Sequence, residues 1–238
     1  MARGSARAAA AGEELSERLL DAAAQVLAEH GLGELTVRRV AERAESSTMG
    51  VYSRFGGRSG ILEALYRRLF AQLARELRAV PATADPVQDI RSLTEAYRAF
   101  AVAGPQRYAF MFADPLPAFV PGPELRAETV QTTFAPLLDA VRRAGAGGKP
   151  GDSVTETETA DTETADRDAN TDTDTDTDTT VTQAAYCLWC IMHGLIGLEF
   201  TDVLRTPMVA WGITGEDGAA AERMFHAGVG SMIAGLDL

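Results

Sequence analysis

The chain has 238 residues, with 22 Lys and Arg against 34 Asp and Glu, a formal charge of −12 and a pI near 4.7. Taken whole, that balance argues against a polyanionic partner, while a hydrophobic content of 46% excludes disorder of the entire chain. The acid is unevenly spread: residues 152–178 hold eleven Asp and Glu with one base, Arg167, and the remainder is close to neutral. The two cysteines, Cys187 and Cys190, are too few for a disulfide scaffold and indicate reduced thiols in a cytosol. Residues 1–12 contain Arg3 and Arg7 but no apolar run of secretory length. The longest apolar stretch, Tyr186 to Leu198, falls short of the roughly 20 residues of a membrane span. A soluble, cytoplasmic protein with no membrane partner is expected.

After residues 1–12, read as a disordered arm, Leu15, Leu19, Ala22, Ala23, Val26 and Leu27 recur at helical spacing from Glu13 to His30, and Gly31 stops the run. Thr36 suits the N-cap of a short helix from Val37 to Ala44, which buries Val37, Val40, Ala41 and Ala44. Glu45-Ser46-Ser47 breaks the pattern, and Ser47 caps a third helix from Thr48 to Arg54 that Gly56 and Gly57 end. Ile61 to Val80 is strongly amphipathic, with Leu62, Leu65, Leu69, Leu73 and Leu77 opposite Arg67, Arg68, Arg75 and Arg78. Further helices are expected at Val87 to Ala103, Pro105 to Phe112 and Glu124 to Arg143, the last kinked at Pro136, with a loop from Pro115 to Pro123. Residues 145–180, glycine-rich and then built of Thr, Asp and Glu repeats, cannot bury enough apolar surface to order themselves and are expected to be disordered. Helical periodicity resumes at Val181 to Leu204 and again at Glu216 to Leu236. The fold class is all-α.

Two short helices across a tight turn, preceded by a longer one, form a helix-turn-helix pattern suited to placing the second short helix in a DNA major groove. The stretch from Leu35 to Ala44, followed by Ser47-Thr48-Met49-Gly50-Val51-Tyr52-Ser53-Arg54-Phe55-Gly56-Gly57-Arg58, resembles the TetR family of transcriptional regulators over roughly residues 13–65. The resemblance implies a homodimer whose N-terminal heads, residues 13–60, bind a near-palindromic stretch of double-stranded operator DNA. It also implies a helical body, residues 61–238, for dimerisation and ligand binding. It assigns Thr36 and Arg38 to the start of the first short helix, where they reach backbone and base edges. Ser47, Thr48, Met49 and Gly50 fall at the exposed start of the recognition helix, with Tyr52 on a phosphate, and Arg54 is added as a basic candidate near its end. Arg58 stands where a phosphate-binding Lys is usual. Glu45 and Ser46 replace the usual Gly and Val of the turn. Between residues 35 and 60, five arginines against two glutamates leave a net positive stretch.

In the body, Trp189-Cys190-Ile191-Met192-His193-Gly194 resembles the Trp-x-x-x-His-Gly pattern of one TetR C-terminal subclass, and Pro105-x-x-Tyr108-x-x-Met111-Phe112 fits it too. Trp189 and His193 lie one turn apart, and with Tyr97, Phe100, Tyr108, Met111, Phe112, Phe134 and Met192 they are candidates to line a pocket for a small apolar or aromatic effector. For any one of them taken singly, ordinary core is the favoured reading. A repressor released by that effector is the leading reading; an activator, a regulator without ligand, and a Cys187/Cys190/His193 metal or redox sensor are the alternatives. Those three side chains diverge around one helix, so no metal and no cofactor is expected. Gly145 to Lys149 lacks phosphate-loop spacing, and Asp172 to Asp176 lacks the turn Gly of a calcium loop. With His30, His193 and His226 in no catalytic constellation, the chain does not read as an enzyme.

Overall fold

The structure, a computed structural model, describes residues 2–112, 119–147, 169–201 and 219–236, with backbone alone at 2–9, 147 and 169–178. All regular structure among these residues is helical: α1 (Ala2–His30), a 3₁₀ turn (Leu32–Glu34), α2 (Val37–Arg43), α3 (Thr48–Phe55), α4 (Arg58–Arg78), α5 (Pro86–Val102), α6 (Pro105–Phe112), α7 (Pro123–Gly147), α8 (Ala169–Glu199) and α9 (Ala219–Gly235). The all-α reading holds. The chain divides into two compact units, Met1–Leu77 with Ala99–Thr133, and Arg78–Arg98 with Phe134–Leu238.

In the first unit, Leu19, Ala23, Val26 and Leu27 of α1 bury with Val40 and Ala41 of α2 and Val51 of α3, and α4 adds Ile61, Leu62 and Leu65. Each short helix is capped by its own hydroxyl: Thr36 accepts the Arg39 amide at 3.2 Å, and Ser47 accepts the Gly50 amide at 3.2 Å. Between them Glu45 has φ of 49°, in the left-handed region. Its amide donates to the Glu42 carbonyl at 3.2 Å, and the Ser46 amide donates to Ala41 at 2.9 Å. These are the two bonds of a Schellman closure, whose left-handed residue is usually Gly. Gly56 ends α3 with φ of 70°. Gly60 permits a close approach, because a Cβ there would lie 1.8 Å from the Phe55 carbonyl oxygen.

Several boundaries differ from the sequence expectation. α1 starts at Ala2, so residues 2–12, read as an arm, continue the helix; alanines 8–11 extend it cheaply once the buried turns have nucleated it. Glu13, Glu14 and Glu17 therefore do not form its first turn. α4 begins at Arg58. α7 extends to Gly147 and α8 reaches back to Ala169, so 145–147 and 169–180 are helical, propagated from turns anchored by Ala144, Ala185 and Leu188. Residues 148–168 of the expected disordered insert lie outside the described residues, as do 115–118 of the expected loop and 202–204 and 216–218 of the last two expected helices.

In the second unit, the loop before α5 is tied down by Asp89. Its carboxylate is 3% exposed and accepts the Thr83 hydroxyl at 2.7 Å, the Thr83 amide at 2.9 Å and Arg143 of α7 at 2.8 Å. The Thr83 hydroxyl foremost, then the Thr83 amide and Arg143, holds the Asp89 carboxyl below its usual range. Arg98 of α5 grips Glu199 of α8 through two bonds of 3.0 and 2.7 Å, and its guanidinium lies 5.7 Å from the Phe225 ring of α9. α8 and α9 pack closely, since a Cβ on Gly228 would come within 2.8 Å of Leu195. By length and composition Thr179–Glu199 is long and apolar enough to cross a membrane, contrary to the shorter stretch counted from sequence, and 28% of that window is buried within the chain.

An L-residue in the left-handed conformation costs roughly 1–2 kcal/mol. Glu45→Gly is therefore expected to stabilise the protein by about 1 kcal/mol, a rise of roughly 2–4 °C in Tm, and Gly60→Ala to destabilise it. Thermal unfolding of the two variants checks both signs.

Candidate DNA interface and body residues

Helix α3 presents its N-terminal half outward. Met49 is 71% and Tyr52 56% exposed, the largest apolar and aromatic exposures in the head, and Thr48 and Ser47 are exposed beside them. Gly50 is half-buried, with Ser46 Oγ 2.8 Å and Leu15 Cδ2 3.7 Å from where a Cβ would sit, so its lack of a side chain seats α3 on α1. The Tyr52 ring lies across Gly57. Thr36 is exposed at the mouth of α2, and Arg38, two residues on, is solvated and joined to Glu42 by a 2.7 Å bond that favours its charged form.

Three of the remaining arginines are engaged within the head, and Arg54 stays exposed. Arg39 pairs with Glu34 at 3.0 Å and Arg43 with Glu29, two carboxylates outside the stretch that reads as positive in sequence. The Arg54 guanidinium lies over Gly12 of α1, its nitrogens 2.6 Å from where a Cβ would sit. Arg58 turns inward: its Nε donates to the Leu35 carbonyl at 2.7 Å and its Nη2 to the Leu32 carbonyl at 3.1 Å. Arg58, expected on a phosphate, here clamps the turn ahead of α2 through these two bonds, because a guanidinium at the start of α4 reaches carbonyls that lie far off along the chain. Carbonyl-clamping by Arg58 and the roles of Glu29, Glu34 and Gly12 are what sequence reasoning missed; only the fold brings them to the head.

The nine body candidates fall in two groups, each within its own unit. In the first, Tyr108 and Phe112 have ring centroids 5.0 Å apart, with Phe70 of α4 5.1 Å from Phe112; Met111 is buried, and Phe100 lies under the Arg107 guanidinium. In the second, Tyr97 and His193 share a hydrogen bond of 2.8 Å, Trp189 stands edge-on to His193 at 4.4 Å, and Phe134 lies 6.4 Å from Trp189. Met192 is buried on the same helix. Cys187 and Cys190 are exposed free thiols. Among the described residues, no three His, Cys, Asp or Glu side chains converge as metal ligands.

An all-helical chain with a hydroxyl-capped helix-turn-helix at its N-terminus and a larger helical body is the architecture of a bacterial DNA-binding regulator. A family model described as bacterial regulatory proteins, tetR family, matches residues 19–65, and one described as Tetracyclin repressor-like, C-terminal domain, matches residues 90–211, just over half of the chain. The chain belongs to the TetR family of transcriptional regulators, which are not enzymes. The HTH-type transcriptional regulators Rv1816 of Mycobacterium tuberculosis and Mb1846 of Mycobacterium bovis are each 25% identical to it over 134 residues, 55% of this chain. The chain spans 57% of the length of these curated relatives. Among solved structures, SCO4313, described as a regulatory protein, is similar over 94% of this chain and 97% of its own, with a TM-score of 0.64 and 25% identity. A tetR family transcription regulator from Shewanella sp. PV-4 shares the fold with a TM-score of 0.57 and 14% identity over 91% of this chain and 97% of its own.

Burial, between Tyr97 and Trp189, pushes His193 down from 6.5 to about 4. A His held neutral in the fold but free to charge when unfolded contributes stability that is complete above about 6.5 and is lost as pH falls toward 4. Urea unfolding across that window is expected to show this loss, and His193→Gln to flatten it.

Proposed function

We propose that the protein is a homodimeric repressor that reads a near-palindromic operator with α3 and is released by a small apolar or aromatic effector held in the body. The observation that carries DNA binding is the solvent-facing row Thr48, Met49 and Tyr52 on a short, capped helix, flanked by Arg38 across the turn. Nothing in the chain's own packing requires Met49 outside; an apolar side chain there suits the thymine methyl in a major groove. The Tyr52 hydroxyl suits a phosphate oxygen. On DNA, Arg38 exchanges Glu42 for a base edge or a phosphate, a swap that a solvated pair makes at little cost.

The homodimer is supported by what the described residues leave open on α8 and α9: Tyr186, Leu198 and Met224 are exposed, and among the described residues Gly194 and Gly197 have nothing within 4 Å of where a Cβ would sit. A second copy covering this face accounts for a long apolar helix in a protein we place in the cytoplasm. The effector reading rests on the Tyr97, His193, Trp189 and Phe134 group, where a neutral imidazole and a phenol offer polar anchors among aromatic rings. Effector binding would act through the long helix α4, altering the separation of the two heads.

Mobility shift on genomic fragments selected by the full chain tests the proposal. Arg38→Ala is expected to weaken specific binding by about 5- to 100-fold, the equivalent of a base contact of roughly 1–3 kcal/mol. Tyr52→Phe is expected to weaken binding to all sequences alike, and wild-type affinity to fall steeply with salt. No specific shift by the wild type overturns DNA regulation; a monomer at micromolar concentration in light scattering overturns the dimer. Ligands that raise Tm without lowering operator affinity overturn effector release.

A further inference from the structure

The first unit holds a cavity of about 270 Å³ between α1, α4 and the turn that opens α6. Its walls include Leu27 and Ala28 of α1, Leu69 and Gln72 of α4, Pro105 and Arg107. None of these belongs to the effector residues discussed above, so success or failure here leaves that reading untouched.

Arg107 is half-buried at this cavity. Its Nη2 donates to the Phe100 carbonyl at 2.6 Å, and the guanidinium carbon lies 3.7 Å from the Phe100 ring centroid. Its Nε is buried without an acceptor, and among the described residues no carboxylate stands within ion-pair distance of it. Gly104 leaves room for the plane: a Cβ there would sit 3.0 Å from Nε. Arg39, Arg43, Arg67, Arg68, Arg98 and Arg143 all meet Asp or Glu. A half-buried guanidinium with five donors and, among the described residues, one carbonyl acceptor is undercompensated, and burial accordingly pushes its pKa down, with Glu76 opposing from farther off. A carboxylate supplies two oxygens in the fork geometry that guanidinium matches.

We propose that the cavity beside Arg107 is a binding site for a small monocarboxylate with a short apolar tail. The carboxylate takes the Arg107 donors that face the cavity, and the tail lies against Leu27, Ala28, Leu69 and Pro105. At roughly 30 Å³ per water, the space corresponds to about nine waters, the bulk of a phenylacetate or hexanoate. The apolar walls disfavour a dianion such as phosphate, which would enter with a second charge and no second cation. The site lies where α6 meets α1.

Calorimetric titration and thermal shift of the full chain with phenylacetate, hexanoate and the uncharged phenylacetamide test this. Saturable binding of either carboxylate, at least tenfold tighter than phenylacetamide, is expected, with a loss of tenfold or more in Arg107→Met and partial retention in Arg107→Lys. Should Arg107→Met not fold, Ala103→Leu at the exposed cavity rim is expected to reduce binding by narrowing the space. No saturable binding of either carboxylate, equal binding of phenylacetamide, or carboxylate binding unchanged in Arg107→Met or in Ala103→Leu overturns the proposal.

Discussion

The head depends on one backbone turn, the left-handed step at Glu45 that closes α2. With the Glu45 and Ser46 amides returned to Glu42 and Ala41, the chain reverses within three residues and delivers Ser47 as the cap of α3. A residue with a Cβ resists that conformation by roughly 1–2 kcal/mol, so the turn is held by its surroundings. Val40, Ala41 and Val51 are buried on α1 and leave the two short helices one relative arrangement, and Arg58 fixes the approach to α2 from the other side. Everything offered to DNA follows: once α3 is seated through Val51 and Gly50, the faces of Thr48, Met49 and Tyr52 point to solvent because no other face is left.

Charge in this protein is a matter of place. The net −12 is dominated by residues 152–178 and says little about the head. Within the head, the arginines that appear as a positive stretch are mostly engaged: Arg39 and Arg43 by glutamates of the preceding turn and helix, Arg58 by carbonyls. Of the five, Arg38 stays solvated in a weak, exchangeable pair and Arg54 stays exposed, so these two keep the most accessible charge on the surface of the head.

Helix order was legible from apolar spacing and from capping residues, because Thr36, Ser47, Gly31 and Gly56 act through bonds to their own neighbours. The exposed face of α3 was legible for the same reason. Interactions between segments far apart in the chain were not: Arg58 on Leu32 and Leu35, Arg54 over Gly12, Asp89 on Thr83 and Arg143, and the Tyr97 to His193 bond all require the fold to bring them together. Helix ends were also hard to read. Residues 2–12 and 169–180 have compositions that would not nucleate a helix, yet they extend ones already anchored by buried turns. The nine candidate body residues lie on four helices and pack as one group in each unit, since spacing along a helix marks a face without saying what it faces.

The central claim, that a turn closed at Glu45 sets α3 to read a symmetric operator, is tested most directly by hydroxyl-radical footprinting of a selected genomic fragment with the full chain. Two protected half-sites related by a dyad, centred about one or two helical turns apart, with protection lost in Arg38→Ala, are the expected result. A single unsymmetrical patch, or protection spread evenly along the fragment and unchanged in the variant, would contradict it.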